Sequence, residues 1–88
     1  DIESLPKDRV PNIEGQVLAV ASGTIEVSLG SDDGLQVDHV LEVYRQGEYV
    51  GRAVVTSVRP DRAVARIVKE YARGIVQRGD RVTTRLKA

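Results

Sequence analysis

The sequence predicts an all-β domain, a small six-stranded and largely antiparallel barrel, with a small β-sandwich as the alternative. Its apolar residues are mainly β-branched, with fifteen Val and five Ile but no Phe, Trp or Met, and β-branched residues are enriched in strands. Turn residues interrupt the apolar runs about every 8 to 12 residues, a spacing typical of all-β folds. Helical periodicity is almost absent. We favour the barrel because closure hides the edges of so few strands.

A single domain with a short lead-in accounts for the 88 residues. Residues 1–13 contain Pro6, Pro11 and five charged residues, which indicates a linker or the last turn of an upstream helix. Residues 14–88 are assigned to the barrel. Because the sequence begins at Asp1 rather than Met, we expect a piece of a longer protein.

The first two strands are predicted on either side of a tight turn. Residues 17–20 are all apolar, which predicts a buried strand, and the following Ser-Gly pair is typical of a hairpin turn. Residues 24–29 alternate between polar and apolar. This alternation predicts a half-buried strand with Ile25, Val27 and Leu29 toward the core.

A glycine-bounded acidic turn follows the second strand. Glycines can adopt positive φ, and aspartate side chains can accept hydrogen bonds from nearby backbone N–H groups. We therefore predict a structural role for the five residues of this turn, which are Gly30, Ser31, Asp32, Asp33 and Gly34.

The third and fourth strands are predicted as a hairpin joined by residues 46–48. In the third strand, residues 39–45, Leu41 and Val43 are expected to face inward and Glu42 and Tyr44 outward. The fourth strand covers residues 49–59, and Gly51 is expected to mark a bulge or bend in it. Strict alternation assigns its residues to two opposite faces, Val50, Val54 and Val58 on one and Ala53, Val55 and Ser57 on the other.

The last two strands are predicted at residues 63–68 and 81–86. Ala63 and Ala65 are small enough for a crowded barrel interior, so we expect them inside. Residues 70–74 are interpreted as a short helical turn or a loop. Gly79 and Asp80 are expected to form the turn that leads into the final strand.

Charge is balanced over the whole chain but not along it. The formal net charge is zero, with −7 on residues 1–44 and +7 on residues 45–88. One interpretation is that strands from the two halves alternate in the sheet, so that opposite charges meet across strands. The other is a domain with an acidic and a basic pole, suited to association with a second molecule.

The sequence offers no set of residues suited to catalysis or to metal binding. Asp32, Asp33 and Asp38 do not have the spacing of a calcium loop, so we expect no metal and no cofactor. Cys is absent and His39 is the single histidine, which leaves no nucleophile with a base and an orienting group. We expect a protein that is not an enzyme.

Arginine is unusually common, with ten Arg against three Lys. Such residues on a small barrel can bind nucleic acid, but single-strand binders also rely on aromatic stacking, and this chain has only three Tyr. Zero net charge also disfavours nucleic acid as the partner. The arginines that we consider candidates for an interaction surface are Arg52, Arg59, Arg66, Arg81 and Arg85.

Three stretches together resemble a β-barrel module of bacterial cell-envelope proteins that carry a coiled coil. They are residues 25–44, with a strand ending in Leu-Gly and an Asp-Gly turn, residues 49–52 and residues 79–82. The module is similar in plan to the C-terminal barrels of the rod-shape-determining protein MreC and of flagellar accessory proteins such as FlgT. Asp38 stands where the family has a second glycine, and Asp tolerates the left-handed backbone better than most residues.

The resemblance implies a non-enzymatic structural or protein-interaction module of a larger membrane-anchored protein, which would place it in the periplasm or cell envelope. We expect self-association or docking of an envelope partner through strand edges and charged poles, weakened by salt. Membrane attachment would come only through other segments. The alternative is a barrel that binds a ligand or nucleic acid through its Arg-rich C-terminal half.

Overall fold

A computed structural model describes residues 13–84 and confirms the all-β barrel. All but the last residue of the predicted lead-in, residues 1–13, lies outside the described residues, as do Arg85 and the end of the predicted last strand. No described helix is long and apolar enough to cross a membrane. Two 3₁₀ turns, Ser31–Asp33 and Lys69–Tyr71, accompany six strands, which are β1 Glu14–Ala21, β2 Thr24–Val27, β3 Val40–Arg45, β4 Glu48–Val58, β5 Ala63–Ile67 and β6 Arg81–Thr84.

The six strands close into a barrel in the order β1-β2-β5-β4-β3-β6. Every neighbouring pair is antiparallel. The barrel closes where residues 14–16 of β1 pair with residues 81–83 of β6. Because β3 lies between β4 and β6, strands from the two halves of the chain alternate on that side of the barrel.

The apolar core of the barrel consists of aliphatic side chains, and the polar Thr84, which pairs with Leu41, is also buried. Ala63 and Ala65 of β5 are buried inside, as predicted, and so are Ile25, Val27 and Leu29. Small alanines on one strand leave room for branched residues on the facing strands. The buried apolar core among the described residues is Val17, Ile25, Val27, Leu29, Leu35, Leu41, Val43, Val50, Ala53, Val55, Ala63, Ala65, Val76 and Val82.

Residues 17–20 lie in a strand, β1, as predicted, but the prediction that this run is buried is wrong beyond Val17. Val17 is buried, but Leu18 is 38% and Val20 41% exposed. The reason lies in the pairing, because β6 covers β1 only at residues 14–16. Residues 18–21 continue beyond this contact with β2 as their paired neighbour, so their apolar side chains are not enclosed by the barrel.

The two faces predicted for β4 are also wrong, because β4 contains two bulges rather than the one expected near Gly51. In the pairing with β3, Val43 lies opposite Gly51 and Tyr44 opposite Tyr49, so Val50 is an extra residue on β4. In the pairing with β5, Thr56 is the extra residue. Each extra residue reverses the alternation of side chains. The residues that reach the core are therefore Val50, Ala53 and Val55, with Val58 packed against them.

Opposite charges from the two halves of the chain meet across strands. Glu26 of β2 pairs with Arg62 at 3.2 Å, and Glu14 of β1 pairs with Arg81 of β6 at 3.1 Å. This arrangement supports the first interpretation of the uneven charge, in which strands of both halves alternate in one sheet.

Candidate interaction surface

The acidic turn at residues 30–34 is hydrogen-bonded through its backbone to the connection between β4 and β5. Ser31 N–H donates to the Arg59 carbonyl at 2.9 Å, and Asp32 N–H donates to the Pro60 carbonyl at 3.0 Å. Within the turn, the Asp33 carboxylate accepts from Gly30 N–H at 3.0 Å, and Gly34 has a φ of 90°. No group of three or more potential metal ligands occurs among the described residues.

Asp38 and His39 are the last two residues before β3. Asp38 adopts a φ of 77°, in the left-handed region that Asp tolerates better than most residues. His39 is buried, and its Nδ1 accepts from Gln36 N–H at 3.1 Å. Burial lowers the pKa of His39, because the imidazolium form loses solvation. The arrangement holds His39 neutral as a turn residue.

Asp80 anchors the turn before β6 through an ion pair that sequence reasoning did not identify, in which the carboxylate is buried and the Arg45 side chain is 39% exposed. Arg45 donates to both of its carboxylate oxygens, with Nε at 2.8 Å and Nη2 at 3.0 Å, and Gln77 N–H donates at 2.8 Å. The hydrogen bond from Arg45 lowers the pKa of Asp80, and the Gln77 N–H bond acts in the same direction. Gly79 has a φ of 93° in this turn.

The described arginines that sequence reasoning selected lie on three strands and one loop. Arg52 of β4 pairs with Glu42 of β3, and Arg81 of β6 pairs with Glu14 of β1. Arg59 lies beyond the end of β4, and Arg66 on β5 lies opposite Thr24 and Val54. Two of the four therefore already have a carboxylate partner.

All three tyrosines of the chain gather on one part of the outer barrel. The rings of Tyr44 and Tyr49 pack edge to face with centroids 5.9 Å apart. The Arg52 guanidinium lies over the Tyr71 ring, with Cζ 4.0 Å from its centroid. We call the set Tyr44, Tyr49, Tyr71, Arg52 and Glu42 the tyrosine surface.

Pairing between β3 and β4 places the first part of this surface. Tyr44 lies directly opposite Tyr49, and Glu42 lies directly opposite Arg52, whose Nε donates to Glu42 Oε2 at 3.1 Å. Glu42 faces outward, as predicted, yet it is only 3% exposed. The side chains around it cover the carboxylate, which the alternation of β3 alone did not predict.

The second 3₁₀ turn brings Tyr71 to the surface from a distant part of the chain. Val68 N–H donates to the Arg52 carbonyl, and Arg73 N–H donates to the carbonyl of the bulged Val50, both at 2.8 Å. The segment passes close to Gly51, where a Cβ would lie at van der Waals distance, 3.7 Å, from Ala72 Cα. The bulge near Gly51 therefore provides the acceptor that holds the segment carrying Tyr71.

The electrostatics of the tyrosine surface couple its members. Burial raises the pKa of Tyr49, and the charge of Glu42 together with a hydrogen bond to it raises that pKa further. At neutral pH Tyr49 is therefore protonated, and its hydroxyl belongs to the same surface as the paired Arg52 guanidinium. Such groups can donate hydrogen bonds and offer aromatic area to a partner.

Two shallow clefts lie beside the β3–β4 hairpin that carries Tyr44 and Tyr49. One, of about 270 Å³, is lined by Tyr49, Val50 and Arg73 among others. The second, of about 450 Å³, is lined by Tyr44 and Arg81 among others. The tyrosine pair therefore lies between two depressions that each contain an arginine.

Sequence reasoning missed this surface, although part of it was detectable. The alternation of residues 39–45 already placed Tyr44 outside. Tyr71, however, reaches Arg52 only through the fold of the segment after β5, for which the sequence carries no periodic signal.

No protein-family model matches this chain, and comparison with curated proteins finds no match.

Proposed function

We propose that this barrel is a non-enzymatic protein-interaction module and that it binds its partner through the tyrosine surface. The observation that carries the proposal is the position of the aromatic residues. The described apolar core is aliphatic, whereas all three tyrosines of the chain lie on the outside of the barrel. Aromatic residues ordinarily contribute much of the apolar area of a core, so their placement here suits a contact with another molecule.

The composition and order of the surface suit protein recognition. Tyr and Arg are the residue types that most often dominate binding energy at protein interfaces. The edge-to-face pair and the stacked Arg52 restrict the rotamers of the side chains before a partner arrives. Binding then costs less side-chain entropy than it would with freely rotating side chains.

The resemblance to envelope barrel modules supports the same class of function. It suggests that the barrel serves in a larger, membrane-anchored assembly outside the cytoplasm. A ligand- or nucleic-acid-binding barrel is the alternative, and it has less support because carboxylates already pair with Arg45, Arg52 and Arg81. A labelled oligonucleotide shifted at low salt would favour that alternative over protein recognition.

Site-specific photo-crosslinking in the cells that produce the protein tests the proposal. A photoreactive phenylalanine analogue replaces Tyr71, which is 45% exposed, and in a matched control it replaces Val64 of β5, which is 36% exposed. We expect a discrete protein adduct from position 71 and none from position 64. Equal adducts at both positions, or none at position 71, would contradict docking through the tyrosine surface.

A substitution distinguishes recognition from a structural role of the same residues. Tyr71→Ala should abolish the adduct formed from a photoreactive group at Tyr44 while leaving the thermal unfolding midpoint within a few degrees of wild type. An adduct that persists in this variant would show that Tyr71 does not contribute to partner binding.

A further inference from the structure

We propose that two copies of this chain associate by antiparallel pairing of the β1 edge at residues 18–21. This inference deepens the proposed interaction function, on which it rests, but it concerns a different surface and a defined partner. The β1 edge belongs to the wall formed by β1 and β2, whereas the tyrosine surface belongs to β3, β4 and the second 3₁₀ turn.

The backbone of β1 is covered on one side up to Val17. Val17 N–H donates to the Asp80 carbonyl at 2.8 Å, and the Val17 carbonyl accepts from Gly79 N–H at 2.9 Å. After Val17, β1 has β2 as its only paired strand among residues 13–84. The edge of residues 18–21 that faces away from β2 is therefore open within the described chain.

Pairing in the β1–β2 hairpin identifies the groups that point from this edge. Ala21 and Thr24 flank the two-residue turn, and Val20 lies opposite Ile25. Successive residues of an antiparallel strand direct their backbone groups to alternate sides. With Ala21 bonded to Thr24, the N–H and C=O groups of Val20 face away from β2 and can pair with another strand.

The edge lacks charged residues and proline, two of the features that normally protect exposed strand edges. It contains a bulge at Leu18, after which Ala19, Val20 and Ala21 pair regularly with β2. Residues 15–25 contain no charged residue and no proline, in a chain that is 30% charged. Leu18 and Val20 of this stretch are 38% and 41% exposed, so association would remove apolar surface from water.

A second copy is the occupant that fits this edge. Antiparallel pairing about a twofold axis at Val20 places Val20 opposite Val20 of the second copy and Ala19 opposite Ala21, which is the geometry of a symmetric dimer. Here the two facing edges read Leu-Ala-Val-Ala, so no like charges meet. The alanines carry short side chains, which allow the two copies to approach closely.

Analytical ultracentrifugation over a concentration series tests the dimer. The wild-type mass should rise toward twice that of the monomer, in 1 M NaCl as well as at low salt, because the edge is uncharged. Val20→Lys should weaken association by about tenfold or more, since the lysines of the two copies would face each other. Val64→Lys, on a strand that is paired on both sides, is the matched control and should associate as wild type does.

Two further measurements keep the test independent of any folding defect in one variant. An equimolar mixture of Val20→Lys and Val20→Glu should form a heterodimer at low salt, because opposite charges then meet. In the wild type, hydrogen exchange at the Val20 amide should slow as protein concentration rises, while exchange at exposed amides of the β3–β4 turn stays constant.

The outcomes decide between this edge and other contacts. A monomer at the highest soluble concentration would overturn the proposal, as would an equal loss of association in Val64→Lys. Association that disappears at high salt would assign the contact to charged groups instead. Tyr71→Ala should leave the mass unchanged, so failure of the dimer and failure of the tyrosine surface would be seen separately.

Discussion

Gly30 has an ordinary extended backbone, with a φ of −146°, yet it has no room for a side chain. A Cβ at this position would overlap the Arg59 carbonyl oxygen and lie 2.6 Å from both Arg62 N and the Pro60 carbonyl oxygen. These atoms belong to the backbone and cannot rotate away. We predict that Gly30→Ala lowers the free energy of unfolding by about 2–3 kcal/mol or more, as measured by urea denaturation.

Gly23 provides the complementary control for Gly30. It has a φ of 81° and no atom within 4 Å of a Cβ built there. Gly23→Ala should therefore cost only the left-handed backbone penalty of about 1–2 kcal/mol. A Gly23→Ala variant that is less stable than Gly30→Ala would contradict the steric explanation.

His39 gives the protein a pH dependence near neutrality. Burial lowers the pKa of the His39 imidazole in the folded state, whereas in the unfolded chain this imidazole has a pKa of about 6.5. The unfolded state therefore binds more protons as pH falls below about 6.5, and stability is lost until the pH passes the folded pKa. Denaturation at pH 7 and pH 5 should show this loss, and His39→Asn, which keeps an acceptor for Gln36 N–H, should reduce it.

Asp80 affects the stability of the protein in a separate and more acidic pH range. The hydrogen bond from Arg45 is the largest cause that lowers the pKa of Asp80 in the folded state. Asp80 therefore contributes to folding stability at pH values above the pKa of an unfolded Asp carboxyl, about 3.9. That contribution is lost as pH falls through the folded pKa. Asp80→Asn should be less stable than wild type at pH 7, and the two should converge below pH 3 in urea unfolding. Parallel curves over that range would contradict this role.

Glu42 and Arg52 link strands β3 and β4 beneath Tyr71. Removing one member of a hydrogen-bonded buried pair costs more than removing both, because the remaining group stays desolvated. We expect Arg52→Met to lower stability by about 1–3 kcal/mol, and the double variant Glu42→Gln/Arg52→Met to be more stable than Arg52→Met alone. A double-mutant cycle by chemical denaturation measures the coupling, and strictly additive effects would contradict it.

The elements that could be predicted are those with local signals. The alternation of residues 24–29 and the two alanines of β5 identified inward faces correctly, because period-two patterns depend only on neighbouring residues. A glycine marked the bulge near Gly51, whereas the bulge at Thr56 has no such local signal and is defined only by the pairing of β4 with β5. The exposure of residues 18–20 likewise depends on where β6 stops pairing.

The same distinction explains how much of the candidate surface was predictable. Tyr44 was placed outside by the alternation of its own strand, and Arg52 was selected because arginine is abundant. Neither signal reported that Glu42 would pair with Arg52 or that Tyr71 would cover it. Those contacts arise from pairing between strands and from the second 3₁₀ turn, which residue periodicity does not encode.

The whole barrel depends on strands from both halves of the chain. β3 is paired with β4 and β6, and β2 is paired with β5. We therefore predict that residues 13–44 and 45–84, expressed separately, are both unfolded by circular dichroism, because each half lacks the neighbours of its own strands. Residues 13–84 should unfold in one cooperative transition, and a folded separate half would contradict this dependence.

The placement of the tyrosines also determines which part of the protein its intrinsic fluorescence and near-ultraviolet circular dichroism report on. With no Trp or Phe in the chain, Tyr44, Tyr49 and Tyr71 are its intrinsic fluorophores, and none of them lies in the buried core. Their emission and near-ultraviolet circular dichroism therefore respond to the outer barrel. A partner that docks on this surface should alter the signal directly without any attached dye, whereas rearrangement of the aliphatic interior should be spectroscopically silent unless it moves β3 or β4.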